Sequence, residues 1–256
     1  MIQYILSIFV IESLVPLLSI AHFVVRCNRC TFFNPVQGGF LETKMKKVAI
    51  FIDWENLRKD IEHCQKYNKA SRKVINYNNI DDIAALIQKP LQKDEEIYRI
   101  FYYTAEPLSL EWELKNNKDD KIKKSLQDFK NSNPEKWDKM ERINRMVSEN
   151  TKHIAFKDFF AVRLGKIKMH VDDDERLMIN QKQVDMLLGL DIAHVSYQRL
   201  VDRILVFCKD TDIVPALKCA RINGLQVCLA HIKEGFAIAA EIKKHVDMIR
   251  EISLLE

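Results

Sequence analysis

The sequence has no internal repeat and no low-complexity segment across its 256 residues, which excludes repeat arrays and tail-like disorder. Cys27 and Cys30 form a lone CxxC with no second pair and no histidine spaced to complete four ligands, which argues against zinc. The six cysteines are scattered. Cys208 and Cys228 fall inside apolar strand-like runs, where a thiol behaves as a small hydrophobe, and reduced thiols in a cytoplasmic setting are expected. A dominant charge is also lacking: the net value is +4, which says little about an anionic partner. Apolar and charged residues make up 47% and 30% of the chain, the composition of a globular protein long enough to bury a proper core.

The first 44 residues stand apart. Ile2 to Val25 is the most apolar stretch, long enough to cross a bilayer but interrupted by Glu12, Pro16 and His22. It has no basic n-region and no small-residue cleavage site, so it does not match a secretory signal. If it inserts, Arg26, Arg29, Lys44, Lys46 and Lys47 follow it and keep the rest of the chain cytoplasmic. Met45-Lys46-Lys47-Val48 also reads as a natural start, so the expectation is an over-extended reading frame, with the working domain spanning 45–256 and lying in the cytosol. A membrane partner follows only if residues 2–25 are an anchor.

From Met45 the chain alternates strands and helices. Lys47 to Ile52 is apolar enough for a strand buried on both faces, and Asp53 stands at its end. Helical spacing follows over Asn56–Tyr67, then a polar connection, a helix opened by Asn79, and a strand over Ile97–Thr104. Ser109–Asn150 (109–150) reads as a helical insertion of two helices broken at Asn131–Pro134. Its Lys115, Lys118 and Lys121 share a face, most simply a solvated one. His153–Leu164 reads as a strand, Gly165–Val171 as its hairpin return, and Asp172–Glu175 as an exposed acidic turn. Next come a helix over Gln183–Tyr197, a strand over Arg203–Cys208 and a helix over Thr211–Asn223 closed by Gly224. A strand over Leu225–Ala230, a helix over Ile238–His245 and a strand over Val246–Ile252 complete the order. Such alternation implies an α/β fold with a mostly parallel central sheet.

Acids cluster where this pattern would place a ligand. Asp53 and Asp210 end presumed neighbouring strands, and open α/β sheets bind ligands at that carboxyl edge. Asp212 lies at the mouth of the next helix, where it can serve as ligand or as N-cap. Asp185 and Asp191 are six residues apart, about 240° around a helix, so they cannot face one ion; Asp185 is the expected ligand and Asp191 a supporting or structural group. Asn56 either holds a water or carboxylate or caps the helix beginning there. Three segments offering Asp to one rim suggest Mg²⁺ or a similar hard ion, bound through a few carboxylates with water and phosphate, and two such ions about 4 Å apart can promote phosphodiester cleavage.

Phe51-Ile52-Asp53-Trp54-Glu55-Asn56, Gln183-Val184-Asp185 with Asp191, and Asp210-Thr211-Asp212-Ile213-Val214-Pro215-Ala216-Leu217 followed by Gly224 resemble the three motifs of the NYN-domain family, a relative of PIN-domain nucleases. The resemblance runs from about Met45 to Ile249. It implies a three-layer α/β/α sandwich and metal-dependent cleavage of RNA. By position, Asp53, Asp185, Asp210 and Asp212 would bind Mg²⁺ or Mn²⁺ and act in catalysis, with Asn56 supporting. The chain departs from the family's pattern in having Cys208-Lys209 where Ser-Gly is common and Thr211-Asp212-Ile213 where Ser-Asp-Phe is common. Arg58, Arg163, Lys182, Lys209 and Thr211 flank the motifs and are the candidate substrate contacts. Two other readings stay open: an RNA- or protein-binding module that keeps the fold without cutting, and an aspartyl-phosphate phosphohydrolase, which would want Asp where this chain has Glu55.

Overall fold

The computed structural model describes residues 44–68, 70–172 and 176–255, and the side chains at 72 and 73 are left aside. The apolar stretch 2–25 and the Cys27–Cys30 pair lie outside the described residues. Among the described residues, no helix is long and apolar enough to cross a membrane.

The fold is a three-layer α/β/α sandwich. Strands β1 (Lys46–Asp53), β2 (Glu95–Ala105), β3 (Phe160–Val171), β4 (Leu177–Lys182), β5 (Arg203–Phe207), β6 (Gln226–Ile232) and β7 (Met248–Ile252) form one sheet in the order β4-β3-β2-β1-β5-β6-β7. All neighbours are parallel except β3 and β4. The chain builds outward from β1 on one side, then crosses and builds outward from β5 on the other. The β1/β5 junction is therefore the switch point of the sheet, where a crevice opens at the carboxyl ends of the strands.

Strand side chains alternate between two apolar layers, as a pleat requires. Ala49, Phe51, Phe101, Tyr103, Ile204 and Val206 pack against helices α7 (Val184–Tyr197) and α8 (Val214–Ile222). Val48, Ile50, Ile52, Ile100, Tyr102 and Leu205 pack against α1 (Trp54–Tyr67) and α3 (Ile80–Gln88) on the other face. Val48 through Ile52 are fully buried, and both faces of β1 are covered, which is why that run carries no polar residue until Asp53. At the opposite edge Glu95 is buried between Arg203 and Arg250, both of which donate to it.

Several expected boundaries move. The polar connection after α1 contains one short helix, α2 (Ser71–Val74). The insertion holds three helices: α4 (Leu110–Asn116), α5 (Asp120–Ser132) and α6 (Pro134–Ala155). The additional break falls where Asp119 caps α5 by accepting from the backbone N–H groups of Lys121 and Ile122. His153–Ala155 belong to α6, and β3 starts only at Phe160, after Phe159 turns the backbone with φ 68°. Gly165 is no hairpin turn: β3 runs through it to Val171 and β4 returns from Leu177, with the Asp172 backbone N–H donating to the Arg176 carbonyl and the Arg176 N–H to Asp172 Oδ1. Gly165 is required there for space, since a Cβ would overlap Val184 Cγ2 and sit 2.8 Å from the Lys182 carbonyl oxygen. The last helix, α9 (Ala240–Lys243), is shorter than expected.

Candidate functional site

Asp53 ends β1 and at once caps α1, its Oδ1 accepting from the Asn56 backbone N–H at 3.1 Å. Ile52 pairs with Phe207, so Cys208 stands level with Asp53, and its Sγ lies 3.6 Å from Asp53 Oδ2. Asp53 is only 6% exposed. Burial pushes its carboxyl up to about 6, against the pull of the Asn56 N–H, and the charge of Asp185 raises it further. Burial and the same carboxylate push the Cys208 thiol up too, so it is an inert neighbour and no nucleophile.

Asp210 follows β5 and caps the single 3₁₀ turn Thr211–Ile213 through the Asp212 N–H, at 3.0 Å. The cap is therefore Asp210, and Asp212 is exposed in the first turn beside an exposed Thr211. Asp185 lies in the first turn of α7, entered through Gln183 in the left-handed region at φ 77°. Its carboxyl is raised by partial burial and then by the charges of Asp210 and Asp212. Four acids from three segments thus share one electrostatic neighbourhood at the switch point, where the charge of Asp185 raises Asp53 and those of Asp210 and Asp212 raise Asp185. They are not gathered tightly: among the described residues, no three His, Cys, Asp or Glu side chains are arranged to hold one ion. Repulsion reaches further than ligation, and Mg²⁺ commonly takes only one or two carboxylates, with waters completing its shell. On donor chemistry, a set of hard oxygens that repel one another fits such a cation.

The supporting residues differ more from expectation. Asn56 Oδ1 accepts from the Lys209 backbone N–H at 3.1 Å, so it anchors the loop presenting Asp210. Asp191 is taken up by other partners, its Oδ2 accepting from the Tyr103 hydroxyl at 2.8 Å and from Arg163 Nε at 3.0 Å. Arg163 is committed to that pair and lies over the Phe101 ring. Arg58 is held by Glu55 and Glu62, one turn away on either side. Lys209 is not a surface phosphate contact: its side chain is buried, with Nζ 2.5 Å from Asp60 Oδ2 and 2.6 Å from the Phe236 carbonyl oxygen. Burial lowers its affinity for the proton, and Asp60 offsets only part of that.

Lys182 keeps its charge available. It stands opposite Lys166 across the β3–β4 ladder, both exposed, and neither has an ion-pair partner among the described residues. Like charges opposed on one face destabilise a ladder, so the pair is a cost that an anion would relieve. Lys166, Tyr103 and Asp60 escape a reading centred on the motifs. Asp60 had one visible signal, because it lies four residues past Asn56 on α1, and both residues bind Lys209.

Compared with known proteins, the chain matches no family profile and no curated sequence. A solved structure of a Vibrio parahaemolyticus protein of unknown function aligns with it at 12% identity and a TM-score of 0.40, covering 82% of this chain and 94% of that one.

Proposed function

We propose that this chain is a metal-dependent endoribonuclease of the NYN type, hydrolysing RNA phosphodiester bonds at the β1/β5 crevice. The observation that carries it is the buried Asp53 held at about 6, with Asp185 raised by burial and then by Asp210 and Asp212, since perturbed carboxylates gather where charge chemistry is done. Asp53, Asp185, Asp210 and Asp212 would hold Mg²⁺ or Mn²⁺. The cation supplies neutralising charge for the phosphate and a water of lowered pKa. Asn56 fixes the loop that presents Asp210, Lys182 with Lys166 attracts the phosphate backbone, and Thr211 offers a hydroxyl beside the acids. A labelled RNA incubated with Mn²⁺ tests this. The wild type should cut it and Asp53→Asn and Asp210→Asn should not; equal cutting by all three would refute the assignment.

A second reading, an RNA- or protein-binding module that does not cut, is favoured by the looseness of the acid cluster. It requires salt-sensitive RNA binding with no metal-stimulated turnover, and cleavage lost in Asp53→Asn removes it.

A further inference from the structure

On the face of the sheet away from α7, a cavity of about 620 Å³ opens between the start of α1, the end of β2 and the helix α6 of the insertion, within the range of small-molecule sites. Trp54 and Tyr102 lie side by side on its wall, ring centroids 5.5 Å apart. Ile143 and Val147 face them from α6. Two polar groups in this apolar surround can meet a ligand. Asn144 Oδ1 is buried with no hydrogen bond. Tyr102 also lines the cavity, and burial pushes the proton affinity of its hydroxyl well up, so it remains a neutral donor.

Three occupants can be weighed on that chemistry. A wholly apolar group would leave the buried Asn144 Oδ1 unpaired, at a cost of about 1–3 kcal/mol. A phosphate meets the wrong charge: Glu55, Glu62 and Glu106 line the cavity against Arg58 alone, and Arg58 is already bound by the first two. A flat, uncharged heterocycle with N–H and carbonyl groups on its edge meets both demands, stacking on the aromatic wall and bonding at Asn144 and Tyr102.

We propose that this cavity is a nucleobase pocket, receiving one unstacked base of the RNA whose phosphate lies at the carboxylate cluster. Asp53 and Trp54 are consecutive, so the aromatic wall begins one residue from the cluster. A strand drawn over the carboxyl edge by Lys166 and Lys182 would turn one base down the opposite face, into the space the insertion encloses. The insertion thereby selects single-stranded or locally unpaired RNA, because a base held in a duplex cannot enter. The strand's path rests on the ribonuclease reading; the pocket's affinity for a base does not.

The test is titration of the full chain with guanosine, adenosine, cytidine and uridine in EDTA, followed by calorimetry and tryptophan fluorescence. No cleavage occurs under these conditions, so a failure here leaves the cutting assay untouched and the reverse holds too. At least one nucleoside should bind saturably at one per chain. Asn144→Leu should raise its dissociation constant about tenfold, the effect of one lost buried hydrogen bond, and Val147→Trp should abolish binding by filling the cavity. In the wild type, the methyl NMR signals of Met140 and Met146, which also line the cavity, should shift on addition of that nucleoside, a reading that stands even if a variant fails to fold. Absence of nucleoside binding, unchanged affinity in both variants, or occupancy by an anilinonaphthalene dye that nucleosides do not displace would each overturn the proposal.

Discussion

Replacing Asp53 by Asn should make the metal-free protein more stable while abolishing its proposed chemistry. The native carboxyl is half-protonated at about 6, whereas in the unfolded chain it releases its proton near pH 4. Between those values the native state binds more protons than the unfolded state, so stability falls as pH rises through that window. The contribution is full below about pH 4 and lost above about pH 6. Each tenfold change in proton affinity is worth about 1.4 kcal/mol, so ionising Asp53 in its buried place costs about 3 kcal/mol at neutral pH. Asparagine keeps the cap on the Asn56 N–H and loses the weak thiol contact of Cys208, which leaves a gain of about 2 kcal/mol. For a domain of this size that raises Tm by about 4–8 °C. Denaturant unfolding of wild type and Asp53→Asn from pH 4 to 8 is the assay, in EDTA and again with Mn²⁺. The curves should diverge above pH 5 in EDTA, and the metal should stabilise only the wild type. A destabilised variant at pH 7.5, or parallel pH profiles, would refute the account of Asp53 as a strained buried carboxylate.

Two further substitutions separate positioning from contact. Lys209→Met should destabilise by about 3–5 kcal/mol, because it leaves Asp60 ionised and buried without its partner; a variant of unchanged stability that binds RNA more weakly would restore Lys209 as a phosphate contact. Gly165→Ala should lower stability by about 1–3 kcal/mol through overlap with Val184 and the Lys182 backbone. It should also impair cutting by displacing the start of α7 and Asp185, as guanidinium unfolding and the RNA assay will read.

Much of the sheet was legible because its central strands are extreme. An unbroken apolar run such as Val48–Ile52 suits only a position covered on both faces, and the first polar residue after it marks the edge where ligands gather. Gly224, at φ 85°, closed its helix as expected for the same local reason. The hairpin was misplaced because a glycine normally signals a turn, while Gly165 answers to a neighbour nineteen residues later that only the folded chain reveals. His153–Ala155 resembled a strand because Ile154, Ala155 and Phe156 form a short apolar run, yet Ile154 is buried as the last inward position of a long helix. Among the basic residues, the commitment of Arg58 was readable from Glu55 and Glu62 at helical spacing. Those of Lys209 to Asp60 and of Arg163 to Asp191 join distant segments and leave no local trace.

The insertion carries its own small core, built from Leu110, Ile122, Leu126 and Trp137, and its outer wall is Met169, Val171, Leu177 and Ile179 from the β3–β4 hairpin. Among the described residues, those four hairpin side chains pack against no other core. Helical cap and protruding ribbon are thus mutually dependent lodgers on the sandwich: stripping off either would bare the greasy side of its companion, and Ile154 of α6 with Phe160 and Val162 of β3 rivets both to the layer beneath α1 and α3.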